Sequence, residues 1–227
     1  MARLAPPHRY TQFCPLARAT EIVGERWTLL IVRELLIGPR RFCDLERPLP
    51  GISSSVLADR LARLEERGLV QRRELPPPAG AAVYELTAAG RDLWPAVTEL
   101  ARWGVRFLGA PREGDHFEPS WVRLALHTLA RRGPCPPRRF AVAVPDGDRE
   151  LVFGAAGGPQ GAAVTDEIPD PDVSIRAAPL VVLGLATGGI DPREAVRSGA
   201  LRAAGDVDAL VDFPALFELP NPQGVST

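Results

Sequence analysis

The spacing of apolar residues is helical through the first half of the chain. From Pro15 to Leu36 it predicts two helices, Pro15–Val23 and Arg26–Leu36, parted at Gly24-Glu25. Trp27, Leu30, Ile31, Glu34 and Leu35 share one side of the second, which predicts a core stripe with Glu34 as its polar member. Gly38-Pro39 ends it, and a short helix from Phe42 to Arg47 stops at Pro48 and Pro50. Gly51-Ile52-Ser53 then reads as a turn leading to an N-cap serine and a helix to about Arg67, closed by Gly68. Leu57, Leu61 and Leu64 form its buried stripe, while Ser55, Asp59, Ala62, Arg63 and Glu66 point outward and Arg60 lies on the flank. Val70 to Leu75 and Val83 to Leu86 are strand-like around a Pro/Gly/Ala tip, a hairpin with a longer loop. Three helices followed by a β-hairpin is the order of a winged helix-turn-helix.

Thr87 caps a further helical stretch, interrupted at Pro95. Leu93, Val97, Leu100 and Phe107 alternate around it with Trp94, Ala101, Val105 and Leu108. A helix apolar on two sides packs one on its own domain and needs a partner for the other, most simply the same helix of a second subunit across a two-fold axis. Trp94, Val97, Leu100, Ala101, Phe107 and Leu108 are the candidate dimerisation residues.

After a polar linker over 110–119 the pattern changes. A helix from Trp121 to Arg131 precedes strands at Arg139–Val144 and Glu150–Gly154 around an Asp146-Gly147-Asp148 turn, with further strands at Gly161–Thr165, Val173–Ala177 and Ala200–Ala203. Pro179–Ala186 and Asp191–Ser198 read as short helices. The expected fold class is α+β: a winged helix-turn-helix domain over 1–109 and, over 120–227, an α+β domain with an antiparallel sheet covered by helices.

Charge separates the same halves. Residues 1–110 carry sixteen Arg against twelve acidic residues, net +4, and residues 111–227 carry eleven against sixteen, net −5. All 27 basic residues are Arg; with so much Ala, Gly and Pro this looks like the codon bias of a GC-rich genome, so the choice of Arg over Lys has little functional weight. Cys14, Cys43 and Cys135 are widely spaced, without CxxC or His-paired spacing, so neither a disulfide framework nor a metal site is expected. Met1 to Pro7 has no apolar signal-like region and Ala177 to Ala186 is too short for a bilayer; a cytoplasmic protein without a membrane partner is expected.

The N-terminal half resembles the HxlR family of bacterial regulators over about residues 14–108. The likeness is carried by Cys14-Pro15-Leu16-Ala17-Arg18, Gly24-x-Arg26-Trp27-Thr28-Leu29-Leu30, Arg41-Phe42-x-x-Leu45, Gly51-Ile52-Ser53, Leu57-x-x-Arg60-Leu61-x-x-Leu64-Glu65-x-x-Gly68-Leu69-Val70 and Tyr84-x-Leu86-Thr87-x-x-Gly90. The resemblance implies a transcription regulator, a homodimer on a pseudo-palindromic operator in double-stranded DNA, with the Ser53 helix in the major groove and the hairpin as wing. Arg40, Arg41, Ser53, Ser54, Ser55, Asp59, Arg60, Arg63, Arg72 and Arg73 are the candidate DNA-binding residues. Asp59 repels phosphate unless it accepts from a cytosine amino group, so affinity falls to the arginines. The alternative for each arginine is a solvated charge or a local ion pair, for instance Arg63 with Glu66.

The C-terminal half is similar, more loosely, to the sterol carrier protein type-two fold. Ile175, Pro179-Leu180, Leu183, Gly188-Gly189-Ile190-Asp191-Pro192-x-x-Ala195, Ser198-Gly199 and Gly205-Asp206 carry that likeness. It implies an apolar small-molecule effector lined by Phe140, Phe153, Val164, Ile175, Val181, Leu185, Leu201 and Phe217; the alternative is that these are ordinary core. Cys14, at a helix start where the dipole favours a thiolate, is a redox candidate or a small packed residue. His116, His127 and the Gly154 to Pro159 stretch complete no metal, phosphate or catalytic constellation, so no cofactor and no enzyme activity are expected. A second function class stays open: a lipid or small-molecule carrier, or an interaction module, in which the winged helix only dimerises.

Overall fold

The computed structural model describes residues 9–76, 80–108 and 112–219. Part of the hairpin tip (77–79), part of the linker (109–111) and the N-terminal residues 1–8 lie outside the described residues. The chain divides into two compact units, Met1–Val97 and Thr98–Thr227. The division falls inside a helix, whereas the sequence places the boundary after residue 109. Arg102 accounts for the difference: its guanidinium donates to the carbonyls of Ala130 at 3.0 Å and His127 at 3.5 Å, tying that end of the helix to the second unit.

The first unit runs α1 (Pro15–Val23), α2 (Thr28–Ile37), α3 (Phe42–Glu46), α4 (Ser54–Glu66), β1 (Val70–Glu74), β2 (Ala82–Leu86) and α5 (Ala88–Arg91), and α6 (Trp94–Gly104) begins in it. α2 starts two residues later than its apolar pattern predicts, because Trp27 adopts a left-handed conformation, φ 77°. For a residue with a Cβ this costs about 1–2 kcal/mol. The buried stripe is thereby Thr28, Ile31, Val32 and Leu35, and Leu30 turns outward, 40% exposed. Glu34 is fully buried, its Oε1 accepting from Arg33 Nε at 2.8 Å. Ile31, Val32, Leu45, Leu57, Leu61, Leu64, Leu86 and Val97 meet in one core.

α4 is closed at both ends by local chemistry. Ser53 Oγ accepts from Val56 N at 3.3 Å, and beyond Arg67 the left-handed Gly68 (φ 70°) lets Leu69 N reach Leu64 O and Gly68 N reach Glu65 O, each at 2.9 Å. The chain emerges directly into β1, which pairs antiparallel with β2 from Val70↔Leu86 to Glu74↔Ala82. Arg40 joins β2 as a one-residue third strand through paired backbone bonds to Tyr84. Gly90 lets α5 approach this hairpin, since a Cβ there would stand 2.1 Å from the Leu69 carbonyl oxygen.

In the second unit a 3₁₀ turn (Val105–Phe107) extends α6. It is followed by α7 (Trp121–Leu129), β3 (Arg139–Asp146), β4 (Arg149–Ala156), β5 (Ala163–Thr165), β6 (Val173–Ala177), α8 (Pro179–Ala186), α9 (Pro192–Arg197), β7 (Leu201–Gly205) and a 3₁₀ helix (Val207–Leu216). The sheet order is β5-β4-β3-β6-β7. Its pairing is antiparallel, as expected, except at the centre, where β6 runs parallel to β3 from Phe140↔Val173 to Ala143↔Arg176. The exception arises because the segment between β5 and β6 carries the chain from one edge to the far side of β3, beyond reach of a hairpin. Inward residues of the sheet pack with α7, α8 and the 3₁₀ helix into one apolar core.

Candidate nucleic-acid interface

α4 presents Ser53, Ser54, Ser55 and Ala58 to solvent. The serines form a short polar network, Ser53 Oγ to Ser55 Oγ at 3.1 Å and Ser54 Oγ donating to Glu46 Oε1 at 2.5 Å. Asp59, Arg60 and Arg63 do not stand free on the helix. Arg63 Nε donates to Asp59 Oδ2 at 3.0 Å, Arg60 also binds Asp59, and both guanidiniums reach Glu25 in the turn between α1 and α2. Of the two expectations for Arg63, a local ion pair holds, with Asp59 and Glu25 among its acceptors. Asp59 is accordingly neutralised by its own helix.

The remaining candidate arginines fall into two kinds. Arg41 and Arg72 are exposed. Arg73 lies across the hairpin from Glu85, Nη2 to Oε2 at 3.0 Å. Hydrogen bonds from Arg73 and then Gln71 hold the Glu85 carboxyl below its ordinary range, and the same pairing raises Arg73. Arg40 is half-buried by its pairing with Tyr84. Glu25 and Glu46, which set the state of the α4 side chains, carry no sequence signal, because both act across a tertiary contact.

The candidate dimerisation residues separate as well. Val97 is buried in the core of the first unit, so it belongs to the inner side of α6 rather than to a free face. Trp94 and Ala101 are half-buried. Leu100, Phe107 and Leu108 are 48%, 51% and 74% exposed, and Trp103, absent from the sequence-based set, joins them at 55%. Its ring lies 4.8 Å from that of Phe107. The i, i+3, i+7 spacing of Leu100, Trp103 and Phe107 was the available signal.

The eight candidate effector-lining residues come together. Phe140, Phe153, Val164, Ile175, Leu185, Leu201 and Phe217 are buried in one cluster, and Val181 packs against it half-buried. Phe213, which sequence reasoning missed, bridges two of them, its ring 5.1 Å from both Phe140 and Phe217. His127 lies on α7 in this unit; burial, and secondarily Arg123, push its pKa down to about 4. Cys14 is the half-buried N-cap of α1 and makes no side-chain cap bond. Among the described residues no three His, Cys, Asp or Glu cluster to hold a metal, and no helix is long and apolar enough to cross a membrane.

Comparison with known proteins finds a different family for each half of the chain. Residues 22–111 match the HxlR-like helix-turn-helix family, and residues 127–218 match the SCP-2 sterol transfer family. The HTH-type transcriptional regulator Rv3095 of Mycobacterium tuberculosis is 47% identical over 117 residues, 47% of this chain and 73% of the relative. The HTH-type transcriptional regulator YodB of Bacillus subtilis is 36% identical over 95 residues, 41% of this chain and 85% of the relative. The solved structure of reduced YodB is 34% identical, covers 46% of this chain and all of its own, and gives a TM-score of 0.38. With relatives this similar matched over most of their length, the chain belongs to the family of HxlR-like helix-turn-helix proteins.

Proposed function

We propose that this chain is a cytoplasmic, DNA-binding transcription regulator that acts as a homodimer on a two-fold operator and answers to an apolar effector held by its second unit. The observation that carries the reading is α4: a helix capped by Ser53, closed by Gly68 and continuous with a hairpin, exposing small polar residues beside the exposed Arg41 and Arg72. Small side chains on such a helix let it sit close to base edges, while arginines on the flanking α3 start and hairpin neutralise phosphate. Dimerisation follows from the exposed stripe of α6, and a two-fold dimer places two such helices against half-sites about one helical turn apart. Binding of the full chain to the DNA upstream of its own gene, competed by random duplex, tests the core of this reading; equal affinity for both removes the operator.

The effector reading is supported by the similarity of residues 127–218 to sterol transfer proteins and by the proposed lining residues falling in one apolar cluster. Such a ligand shifts operator affinity only if it binds one dimer geometry better than the other. A fluorescent long-chain acyl probe titrated into the full chain is expected to bind and to change operator affinity by the same factor that operator changes probe affinity. No binding, or binding without that reciprocity, leaves the second unit a structural appendage.

A further inference from the structure

Two guanidiniums and two carboxylates close into one partly buried cluster on the flank of α4. Arg60 Nη1 lies 2.6 Å from Glu25 Oε2, and Arg63 Nη1 lies 3.5 Å from Glu25 Oε1. Asp59 binds both arginines from within the helix. A further bond runs from Arg60 Nε to the Arg26 carbonyl at 3.3 Å. The four side chains retain between 19% and 29% of their exposure. Asp59 is a helix neighbour of both arginines, but Glu25 stands 38 residues before Arg63 and belongs to another element. The cluster has no net charge. An α4 flank that reads as doubly basic therefore offers an approaching polyanion nothing in excess.

We infer that Glu25 is a specificity-determining positioning residue, which occupies Arg60 and Arg63 with a protein carboxylate in the place a DNA phosphate would take. This rests on the reading of α4 as the helix that faces DNA. Carboxylate and phosphate oxygens offer a guanidinium the same kind of ionic partner. An arginine that leaves Glu25 for a phosphate thus exchanges one such partner for another. With 19–29% of their exposure retained, these side chains still meet water at the α4 flank, where a phosphate could reach them. The exchange returns little on arbitrary sequence and proceeds when base-edge contacts are made at the same time. Phosphate contacts raise affinity for every duplex alike, whereas base contacts discriminate, so holding down the former raises the ratio of specific to non-specific binding.

The test uses the full chain and its Glu25→Gln, Glu25→Ala and Glu25→Asp variants, each first shown by thermal unfolding to be folded. Binding to random-sequence duplex and to the DNA upstream of the gene is then followed against salt. Gln keeps the shape of the side chain and removes its charge. The expected result for Gln and Ala is a plot of log K against log salt steeper by about one unit on random duplex, roughly tenfold tighter binding at about 0.1 M salt for equal affinity at about 1 M. The preference for the upstream DNA falls correspondingly, and Asp restores the wild-type slope. A slope unchanged or flatter in Gln and Ala, or loss of the fold in both, overturns the inference and makes Glu25 a structural brace. A wild-type chain without salt-dependent binding overturns the DNA reading itself, and this inference with it.

Discussion

His127 shows at residue scale how burial can remove a charge that the sequence leaves available. Its imidazole is desolvated on the last turn of α7, and Arg123 acts in the same sense against a smaller opposing effect of Asp166, leaving a pKa of about 4 where a free imidazole has 6.5. The unfolded chain therefore binds the proton first as pH falls. The contribution to stability is complete above about 6.5 and is lost progressively towards about 4. The unfolding midpoint of the second unit is expected to drop between about pH 7 and pH 5, and His127→Gln to remove a measurable part of that drop. Identical pH profiles for the two would contradict the assigned state. The sequence offers the histidine but not its surroundings, since Asp166 approaches from a different part of the chain. Trp27 is a similar case: its position before α2 is legible, its left-handed backbone is not, and in the core Val32 is buried where Leu30 was expected. Asp59 reads as a charge facing DNA although its partners Arg60 and Arg63 are helix neighbours; only the link of those arginines to Glu25 needs the folded chain.

Elements whose ends are set by local chemistry are the ones the sequence specifies well. Pro15 and Pro179 at first helical positions, Ser53 and Thr87 as side-chain caps, and Gly68 beyond α4 fix helix limits without help from the rest of the molecule. The break expected at Pro95 illustrates the limit of that argument. Proline fits the first turn of a helix, so the chain breaks earlier, at Asp92 and Leu93, and Pro95 sits in the first turn of α6. The 3₁₀ helix over Val207–Leu216 escapes a search at period 3.6, because Leu210, Phe213 and Leu216 recur every three residues. The parallel junction of β3 and β6 is a matter of chain crossing and has no local signature. In α6 the apolar pattern is clear on both sides, but only packing tells them apart: Val97 faces inward and Leu100, Trp103 and Phe107 face solvent. Replacing Trp103 and Phe107 by Glu is therefore expected to raise the dimer dissociation constant by roughly thirtyfold or more, the effect of losing central aromatic anchors. Sedimentation that finds the same dimer in the variant would place the interface elsewhere.

At the scale of the whole molecule, two units with separate cores share one chain, the N-terminal part net basic and the C-terminal part net acidic. The family assignment rests on the first unit, and the proposed effector on the second, so each can fail without the other. Under the proposed function, the basic first unit grips phosphate while α4 reads sequence. Of the candidate arginines, Arg41 and Arg72 are the exposed ones that the structure leaves outside the Glu25 and Glu85 ion pairs, so they should carry the phosphate contacts. The decisive measurement is the salt dependence of binding to the upstream DNA by the wild-type chain and by the Arg41→Ala, Arg72→Ala double variant. Log K is expected to fall linearly with log salt in the wild type and to lose about two units of slope in the variant. Binding that ignores salt, or a slope that the double variant leaves intact, would contradict the DNA interface proposed for this chain.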